Sequence, residues 1–298
     1  MKTDYSYSDY IKNPFLAAEE IGNFLHHGSL VLFLGAGASQ GFGLPSWVDL
    51  VALIMGKGGD KDFIKDLAQK SNKEIAKLID EVDDNSDTYI NKVHDALYSQ
   101  AATDLNEQLS KSPLLLSVAA LLTGSCRGRV SSVITYNYDN LLKQYLDMLG
   151  YSVCIRTEPS QLMTWADVDI NYIHGYLPQS KKGASKPGEL ILSEKSYRMR
   201  RALIDKGWSS YVEHGLYTKI GLFLGLSGED SAILDVLKRA QVNIKRTEDY
   251  TGYWLMTPSA YDRNSKDILD VGMCPIKLEE KDFPRFVFAV CQNALKCE

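Results

Sequence analysis

The sequence predicts an α/β fold built on a doubly wound parallel sheet. Three observations carry that reading: apolar runs of strand length, helical periodicity between them, and glycine or polar residues where the runs end. "SLVLFLGAG" and "KIGLFLGLS" are apolar throughout and close in glycine, as strands buried on both faces do. A half-exposed strand would alternate apolar with polar residues instead. Strands alternating with helices are joined by crossovers into a parallel sheet.

The elements follow in chain order. Residues 15 to 27, "FLAAEEIGNFLHH", carry apolar residues at helical spacing, and Gly28 is placed to stop them. The first strand then runs into glycines. From Ser46 to about Leu122 the pattern is almost wholly helical, including "KDFIKDLAQKSNKEIAKLIDEV" and "TYINKVHDALYSQAATDLNEQL", and Pro113 opens a further apolar helix. The strand signal returns in "RVSSVITYN", residues 129 to 137, and the helix "NLLKQYLDMLG" closes at Gly150. "YSVCI" and "DINYIHG" read as short extended pieces. Residues 178 to 189 are rich in Gly, Pro, Ser and Lys and read as a surface loop, with helices over 194 to 217. After the second apolar strand come the helix "DSAILDVLKRAQV", the strand "YWLMTP" and the last helix, "FPRFVFAVCQNAL". The expected architecture is a Rossmann-like doubly wound parallel sheet in a single domain, residues 1–298. A long helical insertion after the first strand spans 48–125, and a smaller one spans 176–217.

Composition narrows the class. A chain of 298 residues with 45% hydrophobic and 24% charged residues can bury a sizeable core as a soluble protein. A net charge of −5 argues against a dedicated nucleic-acid surface. The basic run Arg198-Met199-Arg200-Arg201 reads as a solvated helix face. No stretch reaches the roughly 18 apolar residues of a membrane span, and the polar, aromatic N-terminus is not a secretory signal. The five cysteines, Cys126, Cys154, Cys274, Cys291 and Cys297, are scattered, with no C-x-x-C pair, so neither a disulfide framework nor a structural zinc site is expected. His26, His27 and His214 have no ligand spacing, and no metal is expected. A reducing cytoplasm fits this usage.

The chemistry concentrates at strand ends. A dinucleotide fingerprint is G-x-G-x-x-G opening a helix inside a compact βαβ unit. Gly35 and Gly37 fit it, but the third position is Gln40, and helices occupy the place of the next strand. Hydride transfer is therefore not the expected use. A phosphate cradle still is: Gly35 and Gly37 allow close backbone approach, Ala36, Ala38 and Ser39 keep the turn small, and Ser39 can donate to phosphate. The alternative is a tight strand-to-helix turn and nothing more. Asn137 and Asp139 follow the second strand, and His174 ends a later one. Ligands of open α/β sheets bind outside such carboxyl ends, so these signals converge on one crevice. Individually, Asn137 and Asp139 can cap the next helix, and His174 can be a hydrogen-bonded structural histidine.

The set "GAGAS…GLPSW", "TYNYD", "IHG" and "LGLSGED", in this order, resembles the sirtuin superfamily, and most of all the bacterial sirtuin-like NAD hydrolases of anti-phage defence. Two departures from the deacylating sirtuins stand out. Gly43-Leu44-Pro45-Ser46-Trp47 lacks their Asp and Arg, and the two C-x-x-C pairs that help build their acyl-lysine cleft are absent. The resemblance implies NAD as substrate, with Gly35, Ala36, Gly37, Ala38, Ser39, Pro45, Trp47, Asp139, Gly225 and Ser227 holding it. It also implies that Asn137 orients the nicotinamide-side ribose or a water and that His174 acts as base. Ser227, helped by Gly225, would take the adenosine half, and Asp139 would support the nicotinamide pocket or Asn137. Trp47 would pack on the nicotinamide or in the core. Gly228 and Asp230 can simply open the next helix. Tyr197, in "ILSEKSY", matches a segment that follows the histidine in such hydrolases or is a core aromatic.

Expelling neutral nicotinamide from a cationic glycoside needs no general acid, so one base and a few positioning groups suffice. His174, with an ordinary pKa near ~6.5, suits the base. The expected function is NAD+ hydrolysis to nicotinamide and ADP-ribose, as an NAD-depleting effector kept inactive until triggered. The partners to expect, by analogy, are further copies of the chain, a HerA-like ATPase or other sensor, or a phage component. The alternatives are an NAD-dependent deacylase or ADP-ribosyltransferase, and a non-catalytic NAD or ADP-ribose sensor.

Overall fold

Seven parallel strands form one sheet in the computed structural model, which describes residues 5–39, 41–101, 105–124, 130, 132–160, 165–243 and 250–297. Cys126 and Gln40 lie outside the described residues. The chain opens with α1 (Tyr7–Lys12), α2 (Phe15–His26) and β1 (Leu30–Leu34). Six helices follow: α3 (Trp47–Ile54), α4 (Lys61–Leu67), α5 (Asn72–Ile79), α6 (Asp87–Tyr98), α7 (Leu105–Ser110) and α8 (Pro113–Thr123). Then come β2 (Ser132–Thr135), α9 (Leu141–Met148), β3 (Val153–Arg156), β4 (Val168–Tyr172), α10 (Glu194–Leu203) and α11 (Ser209–Thr218). The chain ends with β5 (Ile220–Leu224), α12 (Ser231–Asn243), β6 (Gly252–Met256), α13 (Pro258–Asp270), β7 (Met273–Lys277) and α14 (Phe283–Ala294). The strand order is β3-β4-β2-β1-β5-β6-β7. The chain works outward from β1 to one edge and then returns to build the other, so β1 sits at the switch point where such sheets bind ligands.

Side chains of β1 alternate between two cores even though the whole strand is buried. Leu30, Leu32 and Leu34 join a cluster with Ile21 of α2, Val118 of α8, Leu146 of α9 and Phe286 of α14. Val31 and Phe33 face Leu216 of α11, Leu237 of α12 and Ile268 of α13 on the other side. Phe33, Phe223 and Trp254 are register neighbours across three strands, and their rings stack at 4.1 and 4.6 Å. Covering both faces removes the polar alternation, which is why these strands read as continuous apolar runs.

The stretch 48–125 divides between two cores. Leu109, Leu115 and Leu122 belong to the first sheet-covering cluster, so α8 is part of the layer beside α14. Helices α3 to α6 build a third cluster from Leu50, Ile54, Leu67, Ile75, Ile79, Val93 and Leu97, completed by Leu177, Leu190 and Leu192. The surface loop of 178 to 189 is anchored at its start, because Pro178 is buried and its carbonyl meets His94 Nε2 at 3.0 Å. Besides α1, two elements were not legible beforehand, α13 and β7. The latter, "MCPIK", is an edge strand, a place that tolerates Pro275.

Candidate functional site

Two glycine turns interlock at the carboxyl end of the sheet. The amides of Gly35 and Gly37 donate to the carbonyls of Leu224 and Gly225 at 3.0 and 2.9 Å, and Ala38 N–H donates to Gly35 at 2.9 Å. A Cβ on Gly35 would meet the Gly225 carbonyl at 2.5 Å, and one on Gly225, which holds φ +74°, would meet the Ala38 amide at 2.5 Å. Glycine is therefore required by the packing of one loop on the other, and these three N–H groups are taken by that packing. Gly43, with φ +75°, lies against the Gln100 carbonyl just beyond α6, and Ser46 caps α3 by accepting from Asp49 N–H at 3.2 Å.

Asn137 reaches back to the first turn. Its backbone N–H donates to Thr135 Oγ1 at 3.1 Å, and its Nδ2 donates to Gly35 O and to Ser39 Oγ, both at 3.1 Å. A carbonyl only accepts, so the Gly35 contact fixes which end of the amide faces it. Ser39 Oγ passes its hydrogen on to Asp139 Oδ2 at 2.8 Å. Asp139 also accepts from Leu141 N–H at 3.0 Å, so it caps α9 as well as ending this relay. Burial pushes its pKa above the ordinary carboxylate value of 3.8, against the hydrogen bonds from Leu141 and Ser39.

His174 follows β4 by two residues and is turned by Gly175, which holds φ +104°. Tyr136 meets its ring edge-on at 5.2 Å, and Tyr138 lies 6.5 Å away on a tilted plane. Tyr138 OH donates to Ile191 O at 2.8 Å, and Ile191 N–H donates to His174 O at 2.9 Å, so both sides of the turn are held. Burial lowers the imidazole pKa from 6.5, while the charge of Asp230 opposes the shift. The ring is therefore neutral near pH 7 and able to accept a proton.

These groups line one cavity of about 740 Å³. That volume lies in the range of roughly 300–1,000 Å³ usual for small-molecule sites. Gly35, Ala36, Gly37, Ser39, Pro45, Trp47, Asn137, Asp139, His174, Gly225 and Ser227 all line it, whereas Ala38 is turned into the core. Trp47 lines the cavity and packs against the third cluster. Its buried Nε1 has no hydrogen-bond partner among the described residues. Tyr197 and Asp230 line the cavity too. Tyr136, Tyr138, Thr257, Arg263 and, from the insertion, Lys70 and Lys73 were not singled out from sequence. The doubled Tyr in "TYNYD" was the one available signal for the first two. His26 and His27 meet the carbonyls of Ala294 and Asn23 through Nδ1, at 2.9 and 2.8 Å. Among the described residues, no group of three or more His, Cys, Asp or Glu is placed to hold a metal, and no helix is long and apolar enough to cross a membrane.

A family model described as the SIR2-like domain matches residues 131–275. The stretch it covers, just under half of the chain, is similar to SIR2-like domains. The SIR2-like stretch runs from β2 into β7 and carries Asn137, Asp139, His174, Gly225 and Ser227, with the Gly35 turn lying before it. SIR2-like domains in general bind NAD and can hydrolyse it or act as deacylases. No curated protein matches the chain.

Proposed function

We propose that the chain is an NAD+ hydrolase that releases nicotinamide and ADP-ribose, and that it serves bacterial anti-phage defence by depleting NAD once triggered. The observation that carries this reading is the junction of Asn137, Ser39 and Asp139 beside a neutral His174 in one cavity. Both partners of Asn137 Nδ2 are protein acceptors, so Oδ1 is the end left to accept from a water or a ribose hydroxyl. His174 receives the proton that this water or hydroxyl gives up. The nicotinamide–ribose bond breaks with loss of a neutral amine, which needs no proton from the protein. Ser39 and Asp139 hold the Asn137 amide so that it does not rotate during the step. Directly beside Asn137, the interlocked turns of Gly35 and Gly225 present a rigid floor for the dinucleotide.

The reading extends to a cytoplasmic, oligomeric enzyme held silent until a sensor, a HerA-like ATPase or a phage component engages it. The test is NAD incubation with mass-resolved products, with and without an acyl-lysine peptide, beside calorimetric NAD binding. Nicotinamide and ADP-ribose without peptide support hydrolysis. Strict dependence on peptide, or absence of NAD binding, sinks the reading.

A further inference from the structure

Past the glycine turns the cavity continues to Glu229 and Arg263, which the proposed reaction does not use. Asn137 and His174 follow β2 and β4, on one side of β1, whereas β5 borders β1 on the opposite side. In dinucleotide-binding sheets an acidic residue near the end of a strand beside the glycine-loop strand receives the adenosine ribose hydroxyl, and an arginine there accommodates a 2′-phosphate. Here Glu229 and Asp230 follow β5 and line the cavity, and Glu229 Oε1 lies 3.5 Å from Arg263 Nε on α13.

The junction is preorganised. Asn264, next to Arg263 on α13, donates through Nδ2 to Ser227 O at 2.9 Å, and Trp254 Nε1 donates to Leu226 O at 2.9 Å. The loop that carries Glu229 is thereby tied to both β6 and α13. Asp230 follows Glu229 directly and lines the cavity too, so the loop after β5 carries two adjacent carboxylates, of which Glu229 meets the guanidinium of Arg263. A ribose hydroxyl can donate to a carboxylate. A 2′-phosphate would face the carboxylates of Glu229 and Asp230, with Arg263 already engaged by Glu229.

We infer that Glu229, in its pair with Arg263, is the specificity determinant that selects a free adenosine 2′-hydroxyl over a 2′-phosphate, and so NAD over NADP. This rests on the NAD reading above. It concerns the recognition of the substrate and leaves the chemistry at Asn137 and His174 unchanged.

The experiment is calorimetric titration of the full chain with ADP-ribose and with its 2′-phosphate, which needs no turnover or activator. Wild type should bind ADP-ribose at least about tenfold more tightly, and Glu229→Gln should shrink that ratio several-fold, chiefly by gaining affinity for the phosphate form. Arg263→Ala should move the ratio the opposite way. Both side chains are about half exposed, at 44% and 59%, so the variants should keep the fold, with melting temperature as the check. ADP-ribose binding with an unchanged ratio in Glu229→Gln overturns this assignment alone. Failure of wild type to bind either ligand at millimolar concentration overturns the NAD reading and the assignment with it.

Discussion

The two flanks of the cavity are built on different physics. Beside β2 and β4, Asp139 is 7% exposed, Asn137, Ser39 and Asp139 are joined by hydrogen bonds, and burial shifts both Asp139 and His174 toward their neutral forms. Beside β5 and β6, Ser227 and Glu229 are exposed, and recognition rests on charge close to solvent. The difference separates tasks. On the proposed function, the chemistry belongs to the flank where groups are buried and geometry is fixed, and selection between ligands to the flank where charges can be exchanged at little expense to the fold.

The sharpest way to break the buried flank is Asn137→Asp. The substitution keeps the shape but places a carboxylate oxygen against the Gly35 carbonyl and removes the donor to Ser39. NAD turnover should fall by about three orders of magnitude or more, with ADP-ribose still bound. A variant retaining a tenth of wild-type turnover would show that Asn137 is not where the reaction is organised.

Next is His174. His174→Gln should reduce turnover by roughly 10²- to 10⁴-fold. In wild type the rate should rise with pH as the imidazole loses its proton and then level off, with the midpoint below 6.5 because burial depresses the pKa. A limb centred above 6.5 in wild type, or an unchanged limb in the variant, removes His174 from the role of base. The sign for stability is the same. As pH falls from 6.5 toward the lower folded value, the unfolded chain takes up the proton first, and the native state loses ground.

Gly225→Ala tests the floor between the flanks. The new Cβ must occupy a backbone at φ +74° and lies 2.5 Å from the Ala38 amide, so a loss of about 2 kcal/mol or more in unfolding free energy is expected. Thermal or urea denaturation measures it. A loss under half a kcal/mol would mean that the two turns are not interlocked in solution.

These contrasts explain what could be read from the sequence. β1 and β5 were legible because burial on both faces leaves an uninterrupted apolar run. The edge strand β7 was not, since Pro275 interrupts its apolar run, and α13 buries only Ala260 and Ile268 of its thirteen residues. Asn137 and His174 were legible as polar residues closing apolar strands. The bond from Asn137 to Ser39, residues 98 apart, was not, because spacing carries no information about which loops meet. The glycines of the first turn were read as making room for phosphate. Their Cβ directions instead face Gly225, a partner that only the sheet order brings near. Arg263 was hidden for the same reason as its helix.

The smallest expected effect discriminates most finely between structure and chemistry at Asp139. Burial raises its folded pKa above 3.8, so as pH rises past 3.8 the unfolded chain ionises first and the native state becomes relatively less stable until the folded carboxyl ionises too. Asp139→Asn removes that titration. Its carbonyl can still accept from Leu141, and its amide can donate to Ser39 Oγ. Stability at pH 7 should therefore change by no more than about 1 kcal/mol in either direction, and the dependence on pH between 4 and 7 should flatten. Turnover should nevertheless fall at least about tenfold, because Ser39 no longer has a charged acceptor to hold it against Asn137. If stability collapses while the turnover of the folded fraction is unchanged, Asp139 serves as the cap of α9 and the relay through Ser39 plays no part in the reaction. If turnover falls with stability intact, the buried carboxylate is retained for the orientation of Asn137.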